Sequence, residues 1–212
     1  MESKQLGPRF AAEILGVNLS AAMSDGEFDA IKQVWLENKV AVFRDQNLSD
    51  NDLSRFTERF GPLFVLVRSQ FNDKTRPGIM LISNIKENCR DLGALGSGDL
   101  AWHSDQSYSA DPVFATLIYA IAIPMEGGGT WFCDTARAYE NLPADEGAAL
   151  LAALEDWAGR PEFTYMHEWR VGDVVMWDNT STMHRRDAFS ADERRLLKRT
   201  GSELPPERAV PF

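Results

Sequence analysis

A mainly β protein, a sandwich or barrel with flanking helices packed outside it, is the fold class this sequence predicts. Three observations predict it: two capped helices near the start, a long strand-rich body with one helical insert, and no repeated β-α alternation of the doubly wound kind. Ser24, Asp25, Gly26 and Glu27 read as a capping box opening the first helix, along which Phe28, Ile31 and Trp35 recur at helical spacing. Residues 40–45 then form a short apolar strand. Ser49 caps a second helix carrying Leu53, Phe56 and Phe60, and Gly61-Pro62 ends it, the glycine at a left-handed stop and the proline unable to continue. Beyond it the texture turns to strands, at 79–85, 100–105, 116–124 and, after a triple-glycine turn, 130–134. The stretch 90–98 holds Gly93, Gly96 and Gly98 and reads as a mobile loop. Residues 144–157 carry Leu150, Leu151 and Leu154 on one side of a later helix, and strands at 163–169, 173–178 and 194–202 complete the body.

Composition narrows the function. The 212 residues suit a single domain, and 44% hydrophobic content is enough for a packed core. A formal net charge of -10 repels nucleic acid and anionic membranes, so an anion site has to be built locally from a few placed cations. Only Cys89 and Cys133 are present, too few for a disulfide framework, and a reduced cytoplasmic setting is expected. No signal peptide is visible in residues 1–10, and the longest apolar run, 113–124, is too short to span a bilayer. A homo-oligomer is compatible with the sequence.

The three histidines are His103, His167 and His184. In Trp102-His103-Ser104-Asp105, a strand would point residues i and i+2 to the same face, aiming an imidazole and a carboxylate at one point. His184 comes 79 positions after Asp105 and must arrive from a different strand. Two imidazoles and one carboxylate on one side of an octahedral ion leave three positions for a chelating co-substrate and O2, which suits Fe(II). Alone, His-x-Asp is a weak signal, because a surface pair is the plainer reading of such a triplet. His167 is followed by Glu168, but Val171 stands where a zinc His-Glu-x-x-His motif needs its second histidine, so no chemistry is assigned to it. The run Arg194-Arg195-Leu196-Leu197-Lys198-Arg199 is basic in an acidic chain; as a strand it sends Arg195, Leu197 and Arg199 one way. Two guanidinium groups on one face can grip carboxylates or sulfonates, whereas a solvated basic edge is the plainer reading of the run alone.

Taken together, these residues resemble a known family. Trp102-His103-Ser104-Asp105, Pro124 with Gly127-Gly128-Gly129-Thr130 and Phe132, and Ala138-Tyr139 with Leu142-Pro143 are similar to the first half of the taurine and 2,4-dichlorophenoxyacetate dioxygenases. Trp169-Arg170-x-Gly172-Asp173, Trp177-Asp178-Asn179, His184, Arg195 and Arg199 resemble the second half, and Ala41-Val42-Phe43-Arg44 the opening. The resemblance implies a double-stranded β-helix, or jelly roll, in which His103, Asp105 and His184 ligate Fe(II). It implies that Arg195 pairs with the distal carboxylate of 2-oxoglutarate, that Thr130 donates to the same group, and that Arg199 lies near a bound substrate's acidic group. The reaction implied consumes O2 and 2-oxoglutarate, releases succinate and CO2, and hydroxylates a small anionic organic substrate, with bond cleavage where the hydroxylated carbon bears a heteroatom. A cupin-like metal-dependent isomerase or hydrolase would use the three ligands without Arg195 and Thr130, and a non-catalytic relative would need none of them. Arg68, Asn84, Asp99 and Tyr108 are further candidate pocket residues, Asp99 and Tyr108 on the substrate side.

One departure from the family is plain. The resemblance implies one dioxygenase domain over 1–212, yet a lid or sheet segment that should precede the strand at Phe163 is missing or deleted near 154–161. Either the natural chain carries a mobile lid that this sequence lacks, or a real deletion leaves a more open site or an inactive protein.

Overall fold

The structure is a computed structural model that describes residues 1–65, 72–73, 76–106, 112–141 and 157–204. The expected helix at 144–157, apart from Trp157, lies outside the described residues, as do Arg68, Tyr108, Leu142 and Pro143. Fifteen strands are described: β1 (Glu2–Gln5), β2 (Ala12–Leu15), β3 (Val40–Phe43), β4 (Asn72–Asp73), β5 (Arg76–Ser83), β6 (Lys86–Glu87), β7 (Arg90–Asp91), β8 (Ala94–Leu95), β9 (Leu100–His103), β10 (Val113–Ala122), β11 (Thr130–Asp134), β12 (Thr164–His167), β13 (Val174–Asp178), β14 (Thr182–Arg186) and β15 (Leu196–Glu203). Three helices accompany them: α1 (Asp25–Asn38), α2 (Asp50–Glu58) and α3 (Thr135–Glu140).

The strands form two main sheets. The larger runs β1-β2-β3-β13-β10-β15-β5-β4, with β8 also paired to β5; the smaller runs β12-β11-β14-β9. Their inner faces meet: Phe132 of the small sheet packs against Trp177 of the large one, ring centroids 5.4 Å apart, amid Val40, Val42, Ile118, Val175 and Leu197. The outer face of the large sheet is covered too. Phe28, Ile31 and Trp35 of α1 and Leu53 and Phe56 of α2 pack with Phe60 on Ala41, Phe43, Phe114, Leu117, Val174 and Met176. Because both faces are covered, β3 and β13 are buried at every position and read as apolar runs rather than alternations, β13 ending on Asp178. Ile31 is fully buried, so Ile31→Val is expected to cost about 1 kcal/mol, read from the midpoint of denaturant unfolding.

The capping box expected at Ser24 is present, and the cap expected at Ser49 is also a capping box. Ser24 accepts from the Glu27 N–H and Ser49 from the Asp52 N–H, with each acidic side chain reaching back to its cap. Two local expectations are corrected. Gly61 does not stop α2, which ends at Glu58 with a right-handed cap at Arg59. Gly61 instead has φ +151°, and a Cβ there would lie 2.8 Å from the Glu203 carbonyl oxygen, so glycine serves a close approach of backbones. Nor is 90–98 a featureless loop: β7 pairs with β6, and β8 adds to β5 in parallel.

Candidate metal and anion site

The two sheets meet around a cleft lined by His103, Asp105, Thr130, His184, Arg195 and Arg199, with Arg185, Arg186 and a wall of Ile82, Leu95, Leu100, Ile118 and Trp177. His103 ends β9 and His184 stands directly opposite it on β14, their ring centroids 4.2 Å apart. Asp105 is not on a strand, as the His-x-Asp argument assumes; β9 ends at His103 and Asp105 lies in the turn beyond. What aims it is Asn179. The Asp105 N–H donates to Asn179 Oδ1 and Asn179 Nδ2 donates to the Asp105 carbonyl, both at 2.8 Å, while Nδ2 also reaches the Val113 carbonyl at 3.0 Å. The side-chain ligand atoms of His103, Asp105 and His184 all lie within 4.8 Å of one another.

The donor set fits a divalent cation. The His103 Nδ1 lies 2.8 Å from the Ala101 carbonyl, which can only accept, so Nδ1 carries the proton and Nε2 offers its lone pair. The His184 imidazole is pushed down to about 3 by burial, with Asp105 opposing and His103 and Arg199 adding to the shift, and stays neutral, the form that ligates a metal. Burial alone would raise the Asp105 carboxyl, but Arg199, His184, His103 and the Thr116 hydroxyl together hold it below the ordinary carboxylate range. An Arg199 guanidinium nitrogen lies 2.9 Å from Asp105 Oδ2 and Thr116 Oγ1 donates to the same oxygen at 3.2 Å.

At the other end of the cleft stands Arg195, 3% exposed, with its Nε buried and unpartnered. Burial, and secondarily the Arg186 charge, pushes its guanidinium down to about 9. Its backbone is pinned from both sides: the Arg195 N–H donates to Asn84 Oδ1 at 3.0 Å and Ser83 Oγ donates to the Arg195 carbonyl at 2.7 Å. Asn84 thus holds the strand entry rather than lining the cleft. Gly128 packs beside Arg195 at φ +68°, a conformation that favours glycine, and a Cβ there would sit 3.1 Å from Pro124 Cγ. Thr130 is buried, and its Oγ1 accepts from Trp169 Nε1 at 3.0 Å, which leaves the hydroxyl proton to donate elsewhere. Trp169→Phe is accordingly expected to free the buried Thr130 hydroxyl to rotate and to cost about 1 kcal/mol of stability, read from the midpoint of denaturant unfolding.

Asp99 is exposed and does not line the cleft; its charge acts on Arg186. His167 is fully buried outside the cleft, its Nε2 3.0 Å from Asp173 Oδ2 and its Nδ1 3.1 Å from the Tyr165 hydroxyl. Sequence reasoning missed Thr116, Arg186 and the roles of Asn179 and Trp169. The last two stand inside quoted motifs, Trp177-Asp178-Asn179 and Trp169-Arg170-x-Gly172-Asp173, which were the available signal.

Comparison with known proteins adds the following. The model of the family described as taurine catabolism dioxygenase TauD, TfdA family matches residues 2–147 and 141–200. The alpha-ketoglutarate-dependent 2,4-dichlorophenoxyacetate dioxygenase of Cupriavidus pinatubonensis (strain JMP 134 / LMG 1197) is 27% identical over 272 aligned positions, covering 92% of this chain and 94% of that protein. An alkylsulfatase of Acinetobacter baylyi (strain ATCC 33305 / BD413 / ADP1) is 24% identical, covering 94% of this chain and 84% of that protein. Among solved structures, a taurine dioxygenase from Burkholderia xenovorans superposes with a TM-score of 0.82 at 24% identity, over 97% of this chain and 91% of that one. AAD-2 in complex with Mn(II) and N-oxalylglycine gives 0.81 at 22% identity, over 95% of this chain and 98% of that one. The likeness establishes the jelly-roll fold. Among the described residues no helix is long and apolar enough to cross a membrane.

Proposed function

Because the chain belongs to the taurine catabolism dioxygenase TauD, TfdA family and is a 2-oxoglutarate-dependent non-haem iron dioxygenase, we propose that it hydroxylates a small anionic organic molecule in the cleft between the two sheets. The observation that carries this reading is the convergence of His103, Asp105 and His184 within 4.8 Å, with buried guanidinium groups on either side. In the proposal these three hold Fe(II), and Arg195 with Thr130 seats the far carboxylate of 2-oxoglutarate. Iron and the co-substrate, when bound, supply O2 activation, with decarboxylation to succinate and CO2.

The protein's own residues do the rest. Asn179 holds Asp105 by its backbone, and the Ala101 carbonyl fixes the His103 tautomer. Ile82, Leu100, Ile118 and Trp177 form the apolar wall of the cleft and strengthen the charge interactions beside it. Arg199, which is paired with Asp105, would lie near the substrate's acidic group in this reading. Relatives are named for phenoxyacetate and phenoxypropionate dioxygenation and for alkyl sulfate cleavage, all chemistries of small acids. If the hydroxylated carbon carries an oxygen or sulfur substituent, the product breaks there. The family's reaction class stands in place of the isomerase, hydrolase and non-catalytic alternatives.

The alignment of 272 positions exceeds the 212 residues of this chain, and the family match falls into two pieces that meet at 141–147. We propose that a segment covering the site in relatives is absent here, near 154–161 as the sequence implies. The function itself is tested by mixing protein, Fe(II) and 2-oxoglutarate without O2 and looking for a visible metal-to-ligand charge-transfer band. O2 is then admitted and succinate measured across a panel of sulfonates, sulfate esters and aryloxy acids. A band and substrate-stimulated succinate are expected; metal binding without either counts against the proposal.

A further inference from the structure

Arg186 is the buried charged residue of the cleft to which neither the proposed metal site nor the proposed co-substrate seat assigns a role. It follows His184 by two positions on β14, so both side chains point inward, and Thr182, His184 and Arg186 are the buried positions of that strand. In the small sheet its register partner is Thr130 on β11. Residues directly opposite in an antiparallel pair share a face with Cβ atoms about 5 Å apart, so Arg186 emerges beside the hydroxyl that seats the carboxylate. Arg195 completes the group: both guanidinium carbons stand over the Phe189 ring, 5.4 Å from its centroid for Arg186 and 5.7 Å for Arg195.

The Arg186 side chain is 4% exposed. Its Nη2 donates to the carbonyls of Leu95 and Gly98, which fixes the plane of the guanidinium, while Nε and Nη1 are buried with no partner. A purely structural anchor for 95–98 would need only the one nitrogen. Burying two more unsatisfied donors of a cation next to another cation is costly unless an anion comes to them. A carboxylate presents about four lone-pair sites, enough for two guanidinium groups and a hydroxyl at once.

We propose that Arg186 is a second guanidinium in the co-substrate seat. It shares the far carboxylate of 2-oxoglutarate with Arg195 and Thr130 and sets selectivity for a 2-oxo acid with an anionic tail. The proposal rests on the reading of Arg195 and Thr130 as that seat. Arg186 acts on the tail alone, so its effect depends on the charge of the tail and not on the chelating end.

The test uses Mn(II)-loaded protein titrated calorimetrically with N-oxalylglycine, an unreactive dicarboxylate analogue, and with 2-oxopentanoate, which has the same length and no tail charge. Arg186→Gln is expected to weaken N-oxalylglycine binding about tenfold or more and to leave 2-oxopentanoate within about twofold. Equal losses for both ligands, or no loss for either, overturn the proposal. If thermal melting shows Arg186→Gln to be unfolded, Arg186→Lys carries the test: it keeps the charge and an anchor to the carbonyls but loses the fork. Its N-oxalylglycine affinity is expected to fall about threefold or more with 2-oxopentanoate unchanged, and an unchanged affinity overturns the proposal. Arg195→Gln separates the two levels. If it weakens N-oxalylglycine while the Arg186 variants do not, this inference alone fails; if it too has no effect, the co-substrate seat was wrongly placed.

Discussion

Asp105→Ala is expected to abolish substrate-dependent succinate formation, a fall of about a thousandfold or more, equivalent to about 4 kcal/mol of activation free energy. In the proposed site the carboxylate would be the one acidic ligand, and without it two imidazoles would face a divalent cation with no compensating charge. The same change has a second consequence in the metal-free protein. Asp105 and Arg199 are paired at 2.9 Å with both side chains 9% exposed, so removing the carboxylate strands a buried guanidinium. That costs about 3–5 kcal/mol in comparable buried pairs and should appear as a lower melting temperature. The two effects can be pulled apart. Adding Arg199→Met to Asp105→Ala removes the stranded charge and is expected to recover most of the melting temperature while turnover stays lost. Retention of Fe(II) binding and succinate release by Asp105→Ala would refute the ligand assignment.

The split between what the sequence disclosed and what it hid follows where polar residues sit. The helices α1 and α2 were legible because one face is apolar at helical spacing and Ser24 and Ser49 announce their starts. The large-sheet strands β10, β13 and β15 were legible as apolar or alternating runs. By contrast β14 gave no strand signal, because the residues it turns inward are Thr182, His184 and Arg186. A strand that lines a polar cleft inverts the pattern by which strands are recognised. Arg186 was overlooked for the same reason. The exposed edge strand β1 has no buried face to betray it, and α3, six residues long, is shorter than two helical turns. The imidazole and carboxylate of 103 and 105 were foreseen together for a reason that does not hold, since the turn after β9 and the Asn179 clamp, not strand alternation, set Asp105. A clamp from 74 positions away leaves no local trace in a single sequence.

Arg195→Ala should act in opposite directions on binding and on stability. In the proposed seat the guanidinium forms charge-assisted bonds to the far carboxylate of 2-oxoglutarate, worth about 1.5–3 kcal/mol, so the dissociation constant should rise about tenfold to a hundredfold. Burial pushes the group down to about 9, and it therefore still carries its charge at pH 7 to meet the ligand. In the ligand-free protein the same group is a liability. Its Nε has no partner, and Arg186 acts on it as a neighbouring like charge. Alanine removes a buried, incompletely paired cation and leaves the Asn84 and Ser83 bonds, which are to the backbone of residue 195, in place. The melting temperature of the ligand-free variant is thus expected to hold or rise while co-substrate affinity falls, and added 2-oxoglutarate should raise it less than it does for the parent. A side chain kept for folding would show the reverse, a lower melting temperature with the affinity of the folded fraction unchanged. That result would remove Arg195 from the co-substrate seat.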